Sequence, residues 1–346
     1  MVTSQSSPLL GLPLEILIQI LEKTDYKSLQ LFGRTCKVAR NIRSHVYIPH
    51  EEIKVFFFMD GSIDVFHLKQ GAVAGGVYKH VEDGCSVQGG EKKTLMKNED
   101  TVQIAYADFE SLLKNQRTKL KKLTFASLPD SGDRQKSYSV PPIAFCKKLE
   151  QYLSARNPKL QVDEFSFHFP RDESHVMMLL SHLNPVIQKI CLFATNETEK
   201  GINNIAAMEH WRNAEAIEVS SNVNLSLEQF IHVRRGNLDL KKFTVADSLR
   251  LKEMFCEAPT RFDEIYIQFP GFGNQMRFHE IPQLGPANNT HNPPANTFNP
   301  QPEPSQKVES WLFPTTNQSY NTCVTLEGRS SMVTSVHFKI VPTMPE

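Results

Sequence analysis

Apolar positions change their spacing along this chain, and the changes mark its parts. Between Leu12 and Leu21, wound as a helix, Leu14, Ile16, Leu17, Ile18, Ile20 and Leu21 cover most of the circumference. Only Glu15, Gln19 and Glu22 form a narrow polar strip. A helix apolar nearly all round is buried on more than one side. So close to the start of a short module, one side is expected to face its own small core and the other a partner protein. Pro13 suits the first turn, where its missing N–H costs nothing, and Glu15 meets the positive end of the helix dipole. Asp25 and Ser28 can cap a second helix carrying Leu29, Leu31 and Phe32, which Gly33 can end. A third helix, about Thr35 to Ser44, turns Cys36, Ala39 and Ile42 towards the same core.

The spacing then becomes that of strands. Ile53–Phe58 and Ile63–Leu68 flank Asp60-Gly61, which predicts a β-hairpin. Residues 70–100, rich in glycine and charge, are expected to be loop with a short strand about Val77-Tyr78. Thr101–Ala105 is expected as a strand and Asp108–Leu113 as a helix. Six apolar-x-apolar cores follow: Leu123-x-Phe125, Phe165-x-Phe167, Ile190-x-Leu192, Ile217-x-Val219, Phe243-x-Val245 and Ile265-x-Ile267. Helical patterns lie between them at Phe145–Ala155, Glu173–Leu183, Ile205–Trp211, Ser226–Val233 and Leu249–Cys256. After the first interval the strands recur every 22–27 residues. That is the period of leucine-rich repeats, whose units bury their apolar faces only by stacking. The expected architecture is a degenerate leucine-rich-repeat-like α/β solenoid; the alternative is a non-repetitive α/β domain with a mixed sheet. Residues 270–308, dominated by Pro, Asn, Gln and Gly, are expected to be a mobile loop before closing strands at Trp311–Phe313, Thr322–Leu326 and Ser335–Val341.

Composition narrows the classes. The 346 residues exceed one ordinary domain, and 40% hydrophobic content supports a sizeable core. Lys and Arg balance Asp and Glu at 38 each, so nothing points to nucleic acid or an anionic membrane. No apolar run reaches the roughly 18 residues of a membrane helix. The six cysteines are scattered without a C-x-x-C pair and are expected as reduced thiols in the cytosol or nucleus. The first residues, Met1-Val2-Thr3-Ser4-Gln5, do not have the pattern of a signal peptide.

The N-terminal run Leu12-Pro13-x-Glu15-Ile16-Leu17 with Ile20-Leu21, then Leu29, then Arg34-x-Cys36-Lys37, resembles the F-box. Val38 and Ala39 stand where many F-boxes have a large residue after the Cys. The alternative is an N-terminal helical hairpin packed on its own domain. Further on, Met208-Glu209-His210-Trp211-Arg212-Asn213-Ala214-Glu215-Ala216-Ile217 is similar to a segment of the FTH (Fog homology) domain, which follows F-boxes in a large nematode family. Leu183-Asn184-Pro185 and Leu225-x-x-Glu228-x-Phe230 agree, with His210 where Gln is usual. Trp211 itself reads as a buried anchor between helix and strand. The expected organisation is α+β: a disordered 1–8, a three-helix F-box at 9–50, a β-hairpin and pre-FTH region at 51–118, FTH-like strand–helix repeats at 119–269, the mobile loop at 270–308 and closing strands at 309–346.

No motif carries chemistry. G-x-S-x-G, G-x-x-x-x-G-K-S/T and G-x-G-x-x-G do not occur, and His175 and His182 are too far apart on one helix to share a metal. The expectation is a non-catalytic protein without cofactor or metal. The resemblance implies a substrate-recognition subunit of an SCF-type ubiquitin ligase. It would bind a Skp-family adaptor, and through it a cullin scaffold, by Leu12, Pro13, Ile16, Leu17, Ile20, Leu21 and Leu29. A target protein would meet residues facing out of the repeat sheet, with His168, Phe193, Glu218, Lys242 and Tyr266 as candidates. The alternative is a non-degradative scaffold that holds a partner such as an RNA-binding protein. Compartment is expected to be cytoplasmic, nuclear or both, without membrane or direct nucleic-acid contact.

Overall fold

The computed structural model describes residues 11–24, 28, 32, 38–39, 42, 50–69, 71–90, 92–114, 116, 118–128, 142–169, 173–194, 199–269, 306–329 and 332–343. It divides into two units, Met1–Ser166 with Ser181–Asn184, and Phe167–Leu180 with Pro185–Glu346.

The first unit holds α1 (Leu14–Glu22), β1 (Glu52–Phe58), β2 (Ile63–Lys69), β3 (Ala72–Val81), β4 (Gly84–Gly89), β5 (Lys92–Lys97), α2 (Thr101–Lys114), β6 (Leu120–Leu128) and α3 (Ile143–Ala155). The strand order is β5-β4-β3-β2-β1-β6. Strands β1 to β5 form an antiparallel meander, and β6 runs parallel to β1. The hairpin at Asp60-Gly61 forms as expected. Gly61 takes φ +77°, the left-handed conformation glycine tolerates, and Asp60 Oδ1 accepts from Ser62 N at 2.8 Å. Period-two alternation puts Ile53, Val55 and Phe57 of β1 and Ile63 and Val65 of β2 into the core. Against them α2 buries Ala105, Phe109 and Leu113, four residues apart, and α3 buries Phe145, Leu149 and Leu153 in the same spacing. The Phe145 ring stands at their junction, 5.3 Å from Phe57, 5.4 Å from Tyr106 and 5.6 Å from Phe109 between centroids.

The glycine-rich stretch 70–100, expected as loop with a short strand about Val77-Tyr78, carries that strand within β3 and has β4 and β5 where loop was expected. Its glycines are packing positions: a Cβ on Gly75 would lie 2.2 Å from the Val65 carbonyl oxygen. Thr101–Ala105, expected as a strand, opens α2, and Asp100 Oδ1 accepts from Gln103 N at 2.9 Å just before it. Gln116 makes a backbone-like pairing with His50. Its Oε1 accepts from His50 N at 2.9 Å and its Nε2 donates to His50 O at 3.1 Å.

In the second unit α4 (Ser174–His182) follows β7 (Val162–Phe169), the residues of both being shared out at the division. Then come β8 (Lys189–Ala194), α5 (Glu199–Ala206), α6 (Glu209–Asn213), β9 (Ala216–Val223), β10 (Arg235–Leu240), α7 (Val245–Glu257), β11 (Glu264–Gln268), β12 (Gln306–Pro314), β13 (Tyr320–Arg329) and β14 (Met332–Pro342). The order is β8-β9-β10-β11-β14-β13-β12. It is parallel from β8 to β11 and antiparallel from β11 onward. Trp211 is the anchor its sequence suggested: fully buried, its Nε1 donates to Gln229 O at 2.7 Å.

This overturns the expected fold class. The architecture is strand-rich and mixed, not a three-helix module followed by an α/β solenoid. A solenoid keeps every strand parallel, whereas here the parallel run ends at β11, where β14 returns antiparallel, and β1 to β5 are a meander. Phe243-x-Val245 is not a strand either. Thr244 caps α7, its Oγ1 accepting from Asp247 N at 3.1 Å while Asp247 Oδ2 accepts from Thr244 N at 2.9 Å. The strand of that interval is β10, and the helix expected over Ser226–Val233 is only a 3-10 turn, Leu227–Gln229. The second and third helices expected before residue 48 lie mostly outside the described residues, as do residues 1–8 and 270–305 of the expected loop.

Two measurements check this packing. Phe145→Ala removes the ring shared by β1, α2 and α3 and is expected to cost about 3–5 kcal/mol in urea unfolding. His50 is buried, and that burial, with the charges of His67 and Lys69, pushes its imidazole from 6.5 down to about 3. Between those values the unfolded chain holds the extra proton, so stability falls as pH drops through the window. His50→Asn is expected to flatten the pH dependence of the urea midpoint there; an unchanged slope would remove His50 as its source.

Candidate interaction surfaces

Helix α1 presents two unlike sides. Leu17 and Leu21 are buried at 1% and 3% exposure, with Phe32, Ile42 and Ala74 of β3 packed against them. Leu12, Ile16 and Ile20, one turn apart in succession, are 38%, 45% and 42% exposed, and Leu14 is exposed as well. Pro13 precedes the helix and its carbonyl accepts from Leu17 N at 3.0 Å. Of the residues assigned to adaptor binding, Leu12, Pro13, Ile16 and Ile20 are thus at the surface. Leu17 and Leu21 form the module's own core, and Leu29 lies outside the described residues.

The second surface is a face of the sheet in the second unit. Ile190, Leu192, Ile217, Val219, Leu238, Ile265 and Ile267 are buried on one face, so the alternate residues point to the other. Register sets Glu218 beside Asn237, Asn237 beside Tyr266, and Tyr266 beside His337. A concavity of about 400 Å³ is lined there by Lys189, Glu218, Arg235, Tyr266, Glu327 and His337, among others. Its charges are largely paired. Lys189 Nζ lies 3.0 Å from Glu218 Oε2, and His337 Nε2 lies 2.6 Å from Glu264 Oε1. Glu327 Oε2 accepts from Ser335 Oγ at 3.3 Å. Arg235 is exposed, and among the described residues no ion pair engages it. Burial pushes the Tyr266 phenol up, so it stays a neutral hydrogen-bonding group.

Glu218 and Tyr266, proposed from sequence, therefore share one concavity. His168 and Phe193 form a ring contact with centroids 4.0 Å apart. Lys242 is not on this face: β10 ends at Leu240, and Lys242 lines a different hollow with Asn224, Thr244 and Asp247. Asn237 takes its place in register. Sequence reasoning passed over Arg235, Asn237, Glu327 and His337. The signal for the first two was Leu238-x-Leu240, an apolar pair as good as the one chosen at Phe243. Among the described residues no cluster of His, Cys, Asp or Glu is arranged to hold a metal, and no helix is long and apolar enough to cross a membrane.

Comparison with protein families matches the F-box domain at residues 9–46 and the FTH domain at residues 144–281. The chain carries an F-box domain followed by an FTH domain. Comparison with curated proteins and with solved structures gave no match. The F-box match contains α1, and the FTH match runs from α3 through β11. F-box proteins are generally non-catalytic adaptors, and this F-box domain supports binding of a Skp-family adaptor and a role in substrate recognition by an SCF-type ubiquitin ligase.

If the open face of the FTH sheet is not needed for folding, its ion pairs contribute little to stability. Lys189→Gln and Glu218→Gln are each expected to change unfolding free energy by less than about 1 kcal/mol, since exposed pairs rarely exceed that. A larger loss in denaturant titration would make the pair part of the scaffold.

Proposed function

We propose that this chain is the target-recognition subunit of an SCF-type ubiquitin ligase. Its F-box would bind a Skp-family adaptor, and through it a cullin scaffold, while the open sheet face of its FTH domain binds the target protein. The observation that carries the reading is the division of α1. In a domain matched to the F-box, Leu17 and Leu21 already fill the module's own core, and Leu12, Ile16 and Ile20 form an aliphatic stripe that stays exposed. Such a stripe is the form in which a helix offers itself to a groove on a partner. Glu218, Arg235 and Tyr266, with His337 of the neighbouring β14 beyond the FTH match, then serve as the target-facing group, an aromatic among charges of both signs, as protein interfaces favour. In this role the chain performs no reaction. It raises the effective concentration of the target near a ubiquitin-loaded enzyme by tethering both.

The test is co-purification of the full chain with a Skp-family adaptor. Wild type is expected to form a stoichiometric complex. Ile16→Ala with Ile20→Ala, each costing about 1–2 kcal/mol as interface truncations, should weaken it about 100-fold without changing the thermal midpoint. Leu17→Ala should instead lower the midpoint, because it opens a cavity. A wild-type chain that stays folded and forms no complex would return α1 to a purely structural role.

A further inference from the structure

Strand β5 carries features that neither the adaptor-binding stripe nor the open FTH face uses. It is the last strand of the first unit's sheet, with β4 as its neighbour. All six of its residues are exposed, whereas β1 and β2 alternate between buried and half-buried. Leu95 is 47% exposed and Met96 37%, and being consecutive they point to opposite faces of the sheet. Lys92, Lys93 and Lys97 make the strand basic, and among the described residues none of them is held in an ion pair. Asp100, the acidic group that follows with Glu99, is already engaged in accepting from Gln103 N before α2.

The main chain of this edge also has a defined direction. Gly89 pairs with Lys92 across the tight turn, and Asn98 N donates to Asp83 O at 2.8 Å. Both place the even-numbered N–H groups towards β4. By alternation, the N–H groups of Lys93, Leu95 and Lys97 face outward, in the arrangement that receives an added strand.

We propose that β5 is a docking edge for an extended segment of a partner protein in which acidic and apolar residues alternate. The segment adds to the sheet by main-chain pairing, sets its carboxylates against Lys93 and Lys97 on one face, and covers Met96 on the other with its apolar side. Charge selects this occupant over a second copy of the chain. Two β5 strands paired antiparallel through these outward groups, Leu95 opposite Leu95, would set Lys93 opposite Lys97 twice, a like-charge contact that disfavours pairing. The lysines thus keep the edge from pairing with itself and leave it open to an acidic strand.

The experiment measures fluorescence anisotropy of labelled probes titrated with the full chain. The probes are a peptide of alternating Glu and Val, one of alternating Lys and Val, and a single-stranded RNA. The Glu–Val peptide is expected to bind at least about tenfold more tightly than the other two, and more weakly as salt rises. Leu95→Pro removes an outward N–H at a position where an edge strand tolerates proline, and should abolish binding while the chain stays folded. Lys93→Glu with Lys97→Glu keeps the backbone and should transfer the preference to the Lys–Val peptide, so the proposal stays testable should the proline variant misfold. Equal binding of both peptides, binding of neither, tighter binding of RNA, or a folded Leu95→Pro chain that still binds would each overturn it.

Discussion

A parallel strand cannot follow its neighbour directly; the chain must cross over a face of the sheet and come back. Most of the second unit depends on that constraint. Between β8 and β9 lie α5 and α6, between β9 and β10 a single 3-10 turn, and between β10 and β11 the helix α7. The crossovers require apolar strand residues to pack under them, and Ile190, Ile217, Leu238 and Ile265 supply these in successive strands. Alternation then leaves Lys189, Glu218, Asn237 and Tyr266 on the opposite face. The candidate recognition surface follows from how the core is covered. Its residue types are free to differ because few core contacts constrain them.

The same constraint explains which parts were legible in the sequence. Five of the six apolar-x-apolar cores fall on strands, because each marks a buried stripe under a crossover. The failure at Phe243-x-Val245 is local. Thr244-x-x-Asp247 is a capping box, and two reciprocal hydrogen bonds start α7 where an apolar pair suggested a strand. The wider error, a solenoid in place of a mixed sheet, has a different origin. A strand–helix period of 22–27 residues is common to stacked repeats and to successive parallel crossovers. What separates them is the direction of β14, which pairs antiparallel with β11 from far along the chain. Spacing carries no information on that. In the meander, Gly75 reads as loop in a list of propensities, yet its lack of a side chain is what lets β3 approach Val65.

Helix α1 shows where a hydrophobic pattern stops being informative. Its near-complete apolar circumference told that two sides would be buried, and the structure assigns one of them to Leu17 and Leu21. Hydrophobicity alone does not make this choice, since leucines stand on both sides, Leu17 and Leu21 inward and Leu12 and Leu14 outward. It is made by what meets the helix: Phe32 and Ile42 from the residues just after it, and Ala74 from β3. A small residue at Ala74 leaves room for α1 to rest on the sheet, and Ile16 and Ile20 are turned outward as a result.

The open sheet face of the second unit pairs much of its charge within the fold. Glu218 pairs with Lys189 and Glu264 with His337, while Glu327 accepts from the neutral Ser335 hydroxyl. Cys146, a buried thiol of the first unit, is pushed up to about 12 by burial and stays protonated near neutral pH. Paired charges of this kind hold their side chains in fixed positions before a partner arrives, so less conformational freedom is lost on binding. Arg235 sits among them with no ion pair among the described residues, able to offer two parallel hydrogen bonds to a carboxylate. A partner's acidic group could meet Arg235, and a basic group Glu327, without breaking the two neighbouring pairs. If this face binds a target as proposed, its selectivity comes from the charges left over after internal pairing, Arg235 and Glu327, and the total charge of the chain, which is zero, says nothing about it.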